Sequence, residues 1–383
     1  MFSKCSISNG PLSRKKRGKP KLFGGWTFLP MMGALVLLSE AHAQAPAQNN
    51  ANSQEAATVH SAKADIPFSS YASPEAQQAL AKVLKAPAGP NPGSSVEETR
   101  KFQSKFSDER LAEMNGLYAV TITSETIGAV RTDVVVPKEG IAAGNRNRVL
   151  ISLHSGGFMW GAGSEALVGA IPIAALSQIK VISIDYRLAP EHKFPAASED
   201  VAAVYQALLK TYKAGNIGIY GCSAGGILAA ESVAWFVAHN LPQPGAIATL
   251  CGTGAELSGD SAYTAPLLTG QPPVPAGGKP LLLSNLPYFA GVDPHDPLAF
   301  PIVSQELLAK FPPTLLLAGS RDFSASSLTV MHRRLRGAGA DAELFLFDGL
   351  WHAFVMFPTL PESREAYGIV GRFFDNHLGR QAK

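Results

Sequence analysis

Ser223 stands in the run Tyr220-Gly221-Cys222-Ser223-Ala224-Gly225-Gly226, between a strand-like stretch, Ile217-Gly218-Ile219-Tyr220, and a helical pattern that begins at Ala224. A serine hydroxyl is a weak nucleophile near neutral pH. It needs a base within hydrogen-bond reach and a third group to orient that base. A sharp strand-to-helix turn lifts such a serine above a sheet edge, and the crowding there tolerates only small neighbours, a condition that Gly221, Ala224 and Gly225 meet. The following helix aims its unpaired N–H groups and positive end at the place where an oxyanion would form.

Of the nine histidines, His352 is the best base. Gly349-Leu350-Trp351-His352-Ala353-Phe354 follows the last strand-like segment, at the carboxyl end of a sheet, where open α/β sheets place their sites. His60, His239, His332 and His377 fall on a tether, at helix ends or on helix surfaces, and His295 falls in a proline-rich stretch; all five read as solvated. Asp322, just past the strand Thr314-Leu315-Leu316-Leu317, is the favoured acid. Asp348, four residues before His352, competes, although a carboxylate there also serves to cap its own turn. The chain order is then Ser223, Asp322, His352. His154-Ser155-Gly156-Gly157-Phe158 follows a buried strand that ends at Leu153, and paired glycines let a backbone come close to a substrate. With the amide of Ala224, those of Gly156 and Gly157 are expected to make a three-donor oxyanion hole.

These landmarks resemble the hormone-sensitive-lipase-like family of α/β-hydrolases, the bacterial esterases with an H-G-G-G loop. His154-Ser155-Gly156-Gly157, Asp185-Tyr186-Arg187-Leu188-Ala189-Pro190-Glu191-His192, the Gly-x-Ser-Ala-Gly-Gly elbow and the Asp322 and His352 loops occur in the family's order, over roughly residues 115 to 380. The resemblance implies an α/β-hydrolase fold and a serine carboxylesterase for short- to medium-chain esters, aryl esters or lactones, working through an acyl-enzyme with no metal or organic cofactor. It also implies a cap built from the early helices (66–115) and the stretch 253–310, and it assigns the oxyanion donors to Gly156, Gly157 and Ala224. Two positions depart from the pattern. Ser155 replaces the first glycine of the loop, and Cys222 replaces the aspartate that usually precedes the nucleophile, where it reads as a small buried filler rather than a reactive thiol. Arg187 is expected to tie its loop together through Asp185 or Glu191, and His192 is expected to be structural. An amidase of the same fold and a ligand-binding protein on an inactive hydrolase scaffold are the competing readings.

The elements that must hold these residues alternate. Residues 120–136 read as two strands, and 149–153, 181–184, 217–220, 246–250, 314–317 and 343–347 as further strands. Helical patterns cover 73–84, 95–114, 197–212, 224–239, 326–336 and 363–377. Short apolar strands alternating with helices mean a mostly parallel sheet covered on both faces. The stretch 253–310 breaks that rhythm with nine prolines between Pro266 and Pro301, and reads as a lid or binding insertion in the catalytic domain 116–383. Phe158, Trp160, Tyr288, Phe289, Phe354, Met356 and Phe357 line either an acyl pocket or plain core.

A composition that is 46% hydrophobic and 16% charged excludes a disordered chain, and three cysteines exclude a disulfide-stapled miniprotein. The formal net charge of +3 points to an anionic partner only until its location is considered. Lys4, Arg14, Lys15, Lys16, Arg17, Lys19 and Lys21 crowd the first 43 residues against Glu40 alone, which leaves the remainder slightly acidic. No basic stripe is left for nucleic acid or anionic lipid. The basic stretch, the uncharged run Leu22–Ser39 and Ala41-His42-Ala43 have a signal-peptide layout, so export to the periplasm or beyond with cleavage after Ala43 is expected. An uncleaved anchor is the alternative. Residues 44–65 read as a flexible linker. The expected partner is a small-molecule ester, with no nucleic acid and no stable membrane association once the leader is gone. The pairing of Cys222 with Cys251 stays open.

Overall fold

The structure, a computed structural model, describes residues 65–85, 94–270, 272 and 280–379. The leader (1–43) and, but for Asp65, the linker (44–65) lie outside the described residues. Two helices come first, α1 (Pro74–Lys85) and α2 (Val96–Leu117), followed by the hairpin of β1 (Val120–Ile127) and β2 (Val130–Pro137). Strands and helices then alternate through β3 (Val149–Leu153), α3 (Ser164–Ser177), β4 (Lys180–Ile184), α4 (Ala196–Leu208), β5 (Ile217–Cys222), α5 (Ala224–Ala238) and β6 (Ala246–Leu250). After β6 come α6 (Asp260–Thr269), the short α7 (Gln305–Leu308), β7 (Thr314–Arg321), α8 (Ala325–Gly337), β8 (Ala342–Trp351) and α9 (Pro361–His377).

The eight strands form one sheet in the order β1-β2-β4-β3-β5-β6-β7-β8. β2 runs antiparallel to both β1 and β4, and every other pairing is parallel. Alternation along each strand sends side chains to two separate cores. Ile151, Ile219 and Leu316 pack on one face with α4, α5 and α8, while Leu150, Tyr220 and Leu315 pack on the other with α3 and α9. The chain steps from β3 out to β4 and then back across to β5, so the connections after β3 and β5 leave toward opposite faces. That reversal opens a crevice at the carboxyl ends of the two strands. The loop after β3 and the turn after β5, which carry the glycine-rich motifs, therefore face each other.

The sheet and its covering helices match the expected architecture. Three helices were not legible in the sequence: α3, α6 and the one-turn α7. Ser164–Ser177 has no polar stripe, because α3 is wedged between the sheet, α2 and α9, and Pro172 in its interior reads as a breaker. Asp260–Thr269 is hidden in the same way by Pro266, within the insertion that reads as irregular. The amino end of α2 carries the capping box its sequence spells: Ser95 Oγ accepts from Glu98 N–H, and the Glu98 carboxylate accepts from Ser95 N–H at 2.8 Å.

Glu231 on α5 is fully buried. Ser198 Oγ–H approaches one oxygen at 3.4 Å, and the other oxygen has no partner among the described residues. Burial pushes this carboxyl well above the usual carboxylate range. The folded chain thus holds its proton where the unfolded chain releases it, and stability drains away as pH rises from about 4.5. Glu231→Gln is expected to raise the melting temperature at pH 8 and to leave it nearly unchanged at pH 4. Thermal melts at the two pH values check this, and an equal shift at both would contradict it.

Candidate active site

The serine at the end of β5 sits in a backbone conformation that L-residues rarely adopt, with φ 56° and ψ −120°. The reason is local crowding. α5 doubles back so tightly that a Cβ on Gly221 would lie 2.4 Å from the backbone of Gly225, and one on Gly225 would lie 2.0 Å from the Leu153 carbonyl oxygen. Ser223 N–H donates to Leu250 O at 2.7 Å, which pins the turn to β6. Ala224 opens α5, so its amide has no acceptor within the helix.

His352 follows the last residue of β8. Near that end, β8 bulges against β7: Gly319 pairs with Phe347, but Arg321 pairs with Trp351. The bulge aims the imidazole at the turn. His352 Nε2 lies 2.9 Å from Ser223 Oγ, and Nδ1 lies 2.9 Å from Asp322 Oδ1. Asp322 is fully buried. Its Oδ1 also accepts from Ser324 N–H at 2.8 Å and Ser324 Oγ–H at 2.7 Å. A carboxylate oxygen that accepts from all three requires the proton on Nδ1, which leaves Nε2 to accept from the Ser223 hydroxyl. Phe323 stacks on the imidazole with centroids 4.0 Å apart and fixes the ring plane.

Asp348 is elsewhere. It lies in the bulge, where it accepts from Ser69 Oγ–H and, at 3.2 Å, from Ser320 Oγ–H. The structure brings Asp322, and not Asp348, to the histidine. Across the crevice, Gly156, Gly157 and Phe158 take φ values of 105°, 59° and 62°, a backbone that folds back so that Met159 N–H and Trp160 N–H both donate to Gly156 O. His154 stacks on Tyr186 at 4.0 Å and donates from Nδ1 to Ser155 O at 2.7 Å, while Tyr186 Oη–H donates to His154 O. Burial holds His154 below the usual histidine range. Tyr186, Phe323 and Ser324 were missed as parts of the site. Only the short spacing of Asp322 and Ser324, an Asx-type turn, signalled any of them.

One expectation is corrected. Arg187 does not bind Asp185 or Glu191. Its guanidinium binds Asp200 at 2.9 Å and Glu199 at 2.8 Å on α4. Asp185 pairs with Arg131 on β2, and Glu191 with Arg100 on α2, which pulls the Glu191 carboxyl down to about 2. Each charged residue of that motif thus ties the segment to a different neighbour. Phe158, Tyr288 and Phe289 stack together in the core, and Phe354 and Met356 are buried as well. Cys222 and Cys251 are both free and buried in the core on the α3 side. A hydrogen bond with Cys222, and then burial, holds the Cys251 thiol well above the usual thiol range. Among the described residues, no group of three His, Cys, Asp or Glu side chains is placed to hold a metal ion, and no helix is long and apolar enough to cross a membrane.

A family model described as the alpha/beta hydrolase fold matches residues 150–356. The chain belongs to the α/β-hydrolase family. An esterase from Acinetobacter venetianus is 28% identical over 255 residues, which cover 64% of this hydrolase and 81% of that protein. The crystal structure of an esterase, E25, is similar with a TM-score of 0.72 and 28% identity, covering 84% of this chain and 99% of the other. The crystal structure of an esterase from the bacterial hormone-sensitive lipase family gives a TM-score of 0.66 at 25% identity, covering 80% and 99%. This hydrolase is of that hormone-sensitive-lipase-like type.

The two buried thiols of the hydrolase carry a direct expectation. In the folded protein both resist alkylation by iodoacetamide, and after unfolding without reductant both are fully alkylated. Peptide mass mapping checks this, and an unmodified, cross-linked pair after unfolding would contradict it.

Proposed function

We propose that this carboxylic ester hydrolase is a serine carboxylesterase that cleaves short- to medium-chain esters, aryl esters or lactones by way of an acyl-enzyme. The observation that carries the reading is the unbroken hydrogen-bond chain from Ser223 through His352 to Asp322, at a strained turn. His352 Nε2 takes the hydroxyl proton as Ser223 Oγ attacks the ester carbonyl. Buried Asp322 keeps the imidazole in the required tautomer and stabilises the imidazolium that forms. The amides of Gly156, Gly157 and Ala224 hold the oxyanion of the tetrahedral intermediate, and one such donor is worth about 3 kcal/mol of barrier in comparable hydrolases. The imidazolium returns its proton to the leaving alcohol. His352 then activates a water that releases the acid and frees the serine.

In this reading α1, α2 and the insertion at 253–310 cap the acyl site. The anchoring of α6 beside the acid supports that role, because Ser261 Oγ–H donates to Phe323 O at 2.9 Å. Export follows from the leader's layout. An amidase of the same fold would use the same groups, and relative rates on matched ester and amide substrates separate the two.

Ser223→Ala is expected to abolish nearly all hydrolysis of short-chain p-nitrophenyl esters, with an unchanged circular dichroism spectrum. Wild-type turnover in that variant would sink the mechanism, and retained ligand binding by an inert wild type would favour a scaffold role. Asp322→Asn is expected to lower kcat by about 10³-fold or more, since the imidazole then loses its tautomer partner. Asp348→Asn is expected to cost little by comparison. The reverse ranking in steady-state assays would move the orienting acid to the bulge.

A further inference from the structure

Ser155, the serine in place of the loop's first glycine, is buried, and its hydroxyl donates to Glu165 Oε1. The second oxygen of that carboxylate accepts from Ser107 Oγ–H, on α2, at 3.0 Å. Glu165 lies in the first turn of α3, so one side chain joins the glycine loop, the start of α3 and the middle of α2. About two turns earlier on α2, Arg100 Nε–H donates to Met159 O at 2.7 Å, at the far end of the same loop. One turn beyond Ser107, the Arg110 guanidinium lies 4.5 Å from the centroid of Phe357, in the segment that follows His352. Glu165 is the carboxylate whose charge most offsets the burial of that guanidinium. α2 thus grips both ends of the loop that carries Gly156 and Gly157 and also touches the segment beyond the base.

That loop needs holding. Three consecutive residues, Gly156 to Phe158, sit at positive φ, so little in their own backbone preference keeps the amides aimed. A charge-assisted bond from a neighbouring hydroxyl to a carboxylate is a strong and directional anchor. We infer that Glu165 is a positioning residue that fixes the oxyanion donors through Ser155 and couples them to the seating of α2 through Ser107. The inference rests on the serine-esterase reading above. It makes α2 part of the machinery that sets the rate of the chemical step, in addition to covering the site.

The test uses Glu165→Ala, Glu165→Gln, Ser155→Ala and the double variant Ser155→Ala/Glu165→Ala in the full chain. Competent sites are counted by labelling with a fluorophosphonate, and p-nitrophenyl butyrate turnover is expressed per labelled site. An aryl trifluoromethyl ketone, which forms a tetrahedral oxyanion on a serine, reports on the donors directly. Glu165→Ala should lower kcat per site by about 10- to 100-fold with KM changed by no more than about twofold. Ketone affinity should fall in parallel. Glu165→Gln should recover much of the loss, and the double variant should be no worse than the poorer single one. Wild-type kcat and ketone affinity per site in Glu165→Ala would overturn the inference and leave the esterase reading standing. A loss confined to KM or to the number of sites, or additive losses in the double variant, would do the same. A wild-type chain that hydrolyses no ester would overturn both.

Discussion

The close passage of α5 over the ends of β3 and β5 is the constraint on which the site depends. Helix and strands approach until only hydrogen atoms fit at Gly221 and Gly225, and the chain gets through the bend only if residue 223 takes a left-handed backbone. Such a conformation costs roughly 1–3 kcal/mol and persists only where the surroundings over-determine it. Here they do, since the parallel pairing of β5 with β3 and β6, the bond from Ser223 N–H to Leu250 O and the burial of α5 all hold the turn. The strain is converted into position: the hydroxyl stands clear of the sheet at the point where the imidazole reaches it.

Much of this was legible because it is written in short-range patterns. The strand before Ser223 and the helix after it are adjacent in the chain, and the small residues of the bend reveal its tightness. The order of Asp322 and His352 along the last two strands allowed the acid to be chosen over its rival, and the reason for that choice is visible only in space. Asp348 occupies a bulge whose hydroxyl partners, Ser69 and Ser320, come from distant and neighbouring chain segments. Alternating strands and helices were enough to read the sheet and its two covered faces.

What the sequence hid has two physical causes. Helices packed on all sides lose their polar stripe, so α3, apolar and interrupted by Pro172, reads as nothing in particular. Partners fixed by tertiary packing leave no local trace either. Arg187 has acidic neighbours on its own segment, yet it bonds to α4, while Asp185 faces β2 and Glu191 faces α2. The same holds for Glu165, which is unremarkable in the sequence and central in the structure.

The bulge in β8 divides that strand into an outer stretch and an inner end beside the imidazole. Ahead of it, Phe345 and Leu346 lie partly bare at the sheet's edge; behind it, Trp351 is sealed in the core next to the imidazole. One strand thus serves both as the exposed margin and as the lead-in to the proton relay, and the shift in register between Gly319 and Arg321 marks where one role gives way to the other.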